Sequence, residues 1–242
     1  MLGYDTNIWG KRVLVKKNPK KQSLPLNSEV AFSLNVQGGL ASALASKRTL
    51  ILFGNPRGGT TMIANVVRSM GIHLGDDLPV NLEDNDFNWD VLAKKHPDWT
   101  RAQKLASIQQ AIQRRNSECD VWGWKYPRTD AYFNDIFPEI VNPMLVCVFR
   151  DVIASTWRNV IRKRQPPIQV IRRALDLQAK NLGLIEKSGA PALLISYEKA
   201  IAEPLQLAAS LNQFMGLDLS ENDLAEHAKR VDPDLGYKAS QL

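Results

Sequence analysis

The sequence holds little with which to bind a metal or close a disulfide: 2 cysteines and 3 histidines in 242 residues. Cys119 and Cys147 make no C-x-x-C pair, and His73, His96 and His227 neither cluster nor fall in an H-E-x-x-H pattern, so zinc chemistry and a disulfide-framed domain have no basis here. Cys147 lies inside the apolar run MLVCVF and reads as a buried thiol. No run approaches the roughly 18 uninterrupted apolar residues of a spanning helix. The opening MLGYDTNIWGKRVLVKK has no apolar block of a secretory signal, so a reduced, cytoplasmic protein without a membrane span is expected. Internal repeats and low-complexity segments are also absent. What is present is ordinary for a globular chain, 44% hydrophobic and 23% charged residues, and the length suffices for one α/β domain with a full core. The net charge of +6 suits a polyanionic ligand or nucleic acid, but equally a basic surface that only keeps the protein in solution.

Residues 1 to 46 carry the basic run KKNPKK (Lys16 to Lys21) and little periodicity, and read as a basic N-terminal extension ahead of a domain over 47 to 242. From Thr49 the texture changes. TLILF predicts a strand, GNPRGGTT a loop, and Met62, Ile63, Val66, Val67 and Met70 recur at helical spacing. After the acidic stretch GDDLPVNLEDNDFNWD, a loop or lid, Ala102, Leu105, Ile108 and Ile112 predict a helix near Thr100 to Arg115. Further strands are predicted at Val121 to Lys125, at MLVCVF ending on Arg150, and at Ala192 to Tyr197. Ile171, Leu175, Leu182 and Ile185 mark a long helix after Pro166 and Pro167, and the chain from Glu203 onward reads as helical. Strands alternating with helices predict a doubly wound parallel sheet, whose ligands sit at the carboxyl ends of the strands.

The loop Gly54 to Thr61 has the form of a phosphate grip. A phosphate needs several backbone N–H groups converging on its oxygens, and a Gly-rich turn opening a helix supplies them. Gly58 and Gly59 remove side chains from the turn, Thr60 and Thr61 offer hydroxyls, and Arg57 adds a permanent cation. Gly54 and Gly59 fit the glycine spacing of a Walker A loop, but Thr60 occupies the lysine position, so an ATPase fits badly. The cation stands instead before the glycine pair.

PRGGTT (Pro56 to Thr61) resembles the PRSGTT form of the signature of sulfotransferases that use 3′-phosphoadenosine 5′-phosphosulfate (PAPS), with Gly58 where that family usually has serine. CVFRDVIASTWR (Cys147 to Arg158) resembles the later strand that ends in arginine and leads into a helix with a serine. Here Ser155 comes earlier than the family's serine, and Arg158 holds that helical position. WGWKYPRT (Trp122 to Thr129) resembles a WGWKDPRT-like stretch of bacterial members, with Tyr126 in place of the aspartate, and EDNDF (Glu83 to Phe87) looks like an EDxEF-type segment. ISYEKAIAEPLQLAASLNQFMGLDL and VDPDLGYK match family framework, so the resemblance runs in order from about Thr49 to Tyr237.

The resemblance implies a P-loop-like doubly wound fold and transfer of a sulfuryl group from PAPS to a hydroxyl or amine, with adenosine 3′,5′-bisphosphate leaving and no required metal. Pro56, Arg57, Gly58, Gly59, Thr60 and Thr61 would hold the 5′-phosphosulfate, and Arg150, Ser155 and Arg158 the 3′-phosphate. Lys125 reads either as a second cation at the bridging oxygen or as a surface lysine following two core tryptophans. Glu83 is the first choice of general base, with Asp84 and Asp86 as alternates and His73 after them, against a reading of these acids as a solvated loop.

Two other functions stay open at this level. One is a nucleotide-dependent kinase, against which Thr60 counts. The other is a binding module for acidic glycan or nucleic acid built on Arg158, Arg162, Lys163 and Arg164, which could equally cap a helix end. A small-molecule or glycan acceptor is the expected partner in place of nucleic acid, and homo-oligomerisation is left open.

Overall fold

The computed structural model describes residues 3–6, 12–15, 29–34 and 46–235, with the side chains of 3–6, 12–15, 158, 159, 162 and 163 left aside. Strands β1 (Gly3–Thr6) and β2 (Arg12–Val15) pair antiparallel as a separate ribbon. Strand β3 (Ala31–Leu34) falls in the span read from sequence as an extension, yet it joins the main sheet. That sheet also contains β4 (Arg48–Gly54), β5 (Val121–Lys125), β6 (Pro143–Phe149) and β7 (Ala192–Ser196), in the order β3-β7-β6-β4-β5. The last four run parallel and only β3 is antiparallel, at the edge beside β7. The fold is the predicted one: an α/β domain with a mostly parallel five-stranded sheet flanked by helices.

Parallel strands need covering on both faces, which is why β4 and β6 read as unbroken apolar runs. Period-two alternation sends Leu50 and Leu52 to one side and Ile51 and Phe53 to the other. The first side packs against helix α1 (Thr60–Ser69). The second packs beneath Phe87, which stacks on Trp124 at a centroid distance of 4.5 Å. Between β4 and β5 lie α2 (Trp89–Lys95) and α3 (Arg101–Glu118), the latter opened by a Thr100–Gln103 capping box. Ile108 and Ile112 of α3 are buried as its periodicity predicts and Leu105 is half-buried, whereas Ala102 is exposed; Ala111, not in that pattern, is buried as well.

The short helix α4 (Phe133–Ile136) follows β5, and α5 (Val152–Lys163) and α6 (Pro167–Ser188) follow β6. Helix α6 is the long helix predicted after Pro166 and Pro167. Leu175 and Leu182 are exposed, while Val170, Leu184 and Ile185 face the core, because α6 packs along α5 and presents a different stripe to the sheet. Helices α7 (Tyr197–Ala202), α8 (Pro204–Met215) and α9 (Glu221–Ala228) complete the domain. No helix among the described residues is long and apolar enough to cross a membrane.

After β4 the chain passes to β5 on one side and then returns to β6 on the other. The carboxyl end of β4 is therefore the point where strand order reverses, the place where open α/β sheets bind their ligands.

Candidate functional site

The loop after β4 is shaped by one tight turn. Gly58 N donates to Asn55 O at 2.8 Å, with Pro56 and Arg57 between them. Arg57 adopts φ 67, left-handed backbone that costs a non-glycine residue on the order of 1–2 kcal/mol. Such strain persists where the surroundings over-determine it. A side chain at Gly58 would place its Cβ 2.7 Å from the carbonyl of Asn55, so the serine of the family signature could not enter this turn without moving the loop backbone. Gly59, the N-cap of α1 at φ 89, allows the ring of Tyr197 to lie against the loop; a Cβ there would meet that ring at 2.0 Å.

Arg150 follows β6 and clamps this arrangement from the next strand. Its guanidinium donates to Arg57 O at 3.0 Å and sits 4.4 Å from the centroid of the Tyr197 ring. Asp151 is engaged elsewhere: its side chain caps α5 by accepting from Ala154 N, and its own N–H donates to Glu198 Oε1.

Lys125, the last residue of β5, is only 1% exposed and directs its ammonium to three acceptors. It donates to Glu83 Oε1 at 2.9 Å, Asn81 O at 3.0 Å and Thr61 Oγ1 at 3.3 Å. Burial lowers the pKa of this lysine from its ordinary value, the pairing with Glu83 opposes that shift, and the nearby charge of Arg57 adds to it. Glu83 takes a second hydrogen bond on Oε2 from Asn88 Nδ2 at 2.9 Å. Asn88 also caps α2, so one asparagine fixes both the carboxylate and the helix start.

These groups surround one cavity of about 600 Å³. Among the residues expected from sequence, Pro56, Arg57, Gly59, Thr60, Thr61, Glu83, Lys125, Arg150 and Ser155 line it. The others are not among the described residues that line it. Gly58 is turned onto Asn55, and Arg158 lies in α5 with its side chain outside the described residues. Asp84 is 4% exposed and lies in a separate cluster, accepting from Arg115 Nη2 at 3.0 Å, while Arg115 also contacts the His73 ring and pairs with Asp76. Asp86 pairs with Arg114 at 2.6 Å on the exposed side of that cluster.

Sequence reasoning did not single out Asn81 and Tyr197 as parts of this cavity wall. Asn81 contributes a backbone carbonyl, which no residue pattern reveals. Tyr197 was visible only as a strand-end aromatic. Within the described residues, no group of three or more His, Cys, Asp or Glu side chains could hold a metal.

No family model and no curated protein sequence matches the chain. Solved structures with a similar course of chain include the sulfotransferase domain of the Synechococcus PCC 7002 olefin synthase, 15% identical over 81% of this chain and 87% of that one, with a TM-score of 0.48. The sulfotransferase STF1 from Mycobacterium tuberculosis H37Rv is another, 16% identical over 77% of this chain and 72% of that one, also at 0.48.

Proposed function

We propose that this chain is a sulfotransferase that takes the sulfuryl group of PAPS to a hydroxyl or amine of an acceptor. The observation that carries the reading is the convergence of three cations, Arg57, Lys125 and Arg150, from the ends of three adjacent parallel strands onto one cavity beside the phosphate loop. A single phosphate needs less. A donor with phosphoryl groups at two positions, one of them a leaving group, uses all three.

In this reading the loop N–H groups and the start of α1 hold the 5′-phosphosulfate. Arg57 and Lys125 face the bridging oxygen. As the acceptor oxygen or nitrogen bonds to sulfur, the bond from sulfur to that bridging oxygen breaks and its electron pair leaves with adenosine 3′,5′-bisphosphate. Cations already held around that oxygen stabilise this growing charge without reorganising. The acceptor's proton passes to Glu83, whose carboxylate lines the cavity and is oriented by Lys125 and Asn88. Arg150 and Ser155 lie on the wall where a 3′-phosphate would sit.

Isothermal titration with adenosine 3′,5′-bisphosphate tests the donor assignment. Micromolar binding is expected, weakened at least tenfold by Arg57→Ala and by Arg150→Ala, each removing a charge-assisted contact worth about 1.5–3 kcal/mol. Undiminished binding by both variants sinks the reading. A clear preference for ATP with Mg²⁺ over the 3′-phosphorylated nucleotide supports the kinase instead.

A further inference from the structure

Behind the phosphate loop lies a second cavity, of about 430 Å³, whose walls are Asn55, Pro56, Ser155, Arg128 and the face of α6 that carries Arg173 and Lys180. Pro56 and Ser155 also line the first cavity, so the two spaces meet across the same rim. The volume suits a monosaccharide or a small aromatic molecule.

The charges of this second space are unequal in their engagement. Arg128 is tied to Asp130 by a 3.1 Å ion pair. Arg173 and Lys180 make no ion pair or hydrogen bond among the described residues, although Asp176 lies between them on the same helix. They are seven residues apart, two helical turns, which sets their Cα atoms about 10.5 Å apart along one side of α6. Two cations on one wall, with one acid between them, leave an excess of positive charge facing the cavity.

The position of that wall is fixed to the loop. Asn55 is 5% exposed, and its Nδ2 donates to Ala174 O, the residue beside Arg173, at 2.8 Å. Its Oδ1 has no hydrogen-bond partner in the protein. A buried asparagine with half its amide bonded to α6 holds the cationic face at a set distance from the turn containing Arg57.

On the sulfotransferase reading given above, we infer that the second cavity receives the acceptor, and that the acceptor carries a negatively charged group, a carboxylate, sulfate or phosphate, seated by Arg173 and Lys180. The anion is held on the α6 side while the acceptor's hydroxyl or amine reaches past Pro56 to the sulfur. The transferred sulfuryl, the departing bisphosphate and the proton taken by Glu83 are as described for the reaction itself. Only the acceptor's far end is new.

The test uses the full chain saturated with adenosine 3′,5′-bisphosphate, so that the first cavity is filled, and titrates inorganic phosphate in one arm and acetate in the other while backbone amide resonances are followed. Saturable shifts confined to Asn55 and to Arg173 through Lys180 are expected in at least one arm, and the arm that responds identifies the anion as phosphate-like or carboxylate. The double variant Arg173→Gln/Lys180→Gln should weaken that binding at least tenfold and leave bisphosphate affinity within twofold. Lys187→Gln, on the same helix but outside the cavity, should change neither. Shifts that do not saturate in either arm, or that survive the double substitution, overturn the subsite. If the parent protein fails to bind the bisphosphate, the acceptor role falls with the sulfotransferase reading, while saturable anion binding lost in the double variant would still mark the cavity as an anion site.

Discussion

Glu83 and Asp84 are neighbours in the chain, and each pairs with a buried cation, but the two pairs belong to different clusters. Glu83 meets Lys125 and opens onto the cavity. Asp84 meets Arg115 as a buried pair beside His73 and the exposed Asp76, under Gly75. The difference lies in what covers each pair. Around Lys125 the acceptors come from the phosphate loop's helix and from Asn81, leaving the ammonium at the edge of an open space. Around Arg115 the neighbours are α3, the turn at Gly75 and the exposed Asp76, and neither Arg115 nor Asp84 lines the cavity. One pair is available to a ligand, and the other ties the acidic loop to the body of the domain.

The strongest way to break this comparison is Arg115→Ala. Arg115 is 1% exposed, and removing it strands a buried carboxyl group. Breaking one partner out of a buried pair costs about 3–5 kcal/mol. For a chain of this size each kcal/mol is worth about 2–4 °C of Tm, so a fall of roughly 10 °C is expected in a thermal melt. The folded fraction should bind adenosine 3′,5′-bisphosphate within twofold of the parent. A lost affinity with an unchanged Tm would give the Arg115 cluster a ligand role and erase the distinction.

Lys125→Met makes the complementary change. It keeps the length of the side chain and removes the ammonium from the cavity. Transfer should fall by about 10²-fold, near 2.7 kcal/mol, as when one preorganised donor to a developing oxyanion is lost. Stability should fall less than in Arg115→Ala, because the carboxylate left behind, Glu83, lines the cavity and keeps its bond from Asn88. Melting curves and single-turnover rates on the same preparation separate the two effects. Full activity in a destabilised protein would make Lys125 a structural cation like Arg115.

How far the sequence could show this contrast depends on where each piece of information resides. The strands and the loop were legible because they are local: TLILF, VWGWK and MLVCVF are short apolar runs, and GNPRGGTT carries its own turn chemistry. Lys125 and Arg150 could be placed at strand ends and Arg57 in the loop that follows a third strand, and parallel strands bring such ends together, so their approach to one cavity followed from topology. The fates of Glu83 and Asp84 did not. Both occur in an irregular loop with no period, where Leu82 takes φ 57, and nothing local says which carboxylate turns inward. Arg115 came from a helix read only for its apolar face. The role of β3 was hidden for a related reason: a four-residue edge strand has too short a pattern to stand out, and its partner β7 lies some 160 residues away. The helix α6 was legible after Pro166 and Pro167, but its inward face was not, because its periodicity offers two stripes and only packing against α5 chooses between them.

The smallest expected effect bears on the closed pair alone. Burial pushes the Asp84 carboxyl up to about 6; the hydrogen bond from Asp86 N and the charge of Arg115 pull it down, and the charges of Asp86 and Asp76 add to the rise. A carboxyl raised above its ordinary value of 3.8 binds its proton more readily in the folded chain than in the unfolded one. Its contribution to stability is therefore greatest below about pH 4 and is lost as the pH rises to about 6, with a slope of at most about 1.4 kcal/mol per pH unit. Asp84→Asn removes that slope. Urea unfolding of both proteins at pH 4, 5, 6 and 7 should show the parent's advantage over the variant shrinking with pH and levelling off above 6, while bisphosphate affinity at neutral pH is the same for the two. An advantage that instead grows with pH would mean that Arg115 outweighs burial and holds Asp84 ionised. The closed pair would then be a true salt bridge of the same kind as Lys125 and Glu83, differing from it only in having no cavity to face.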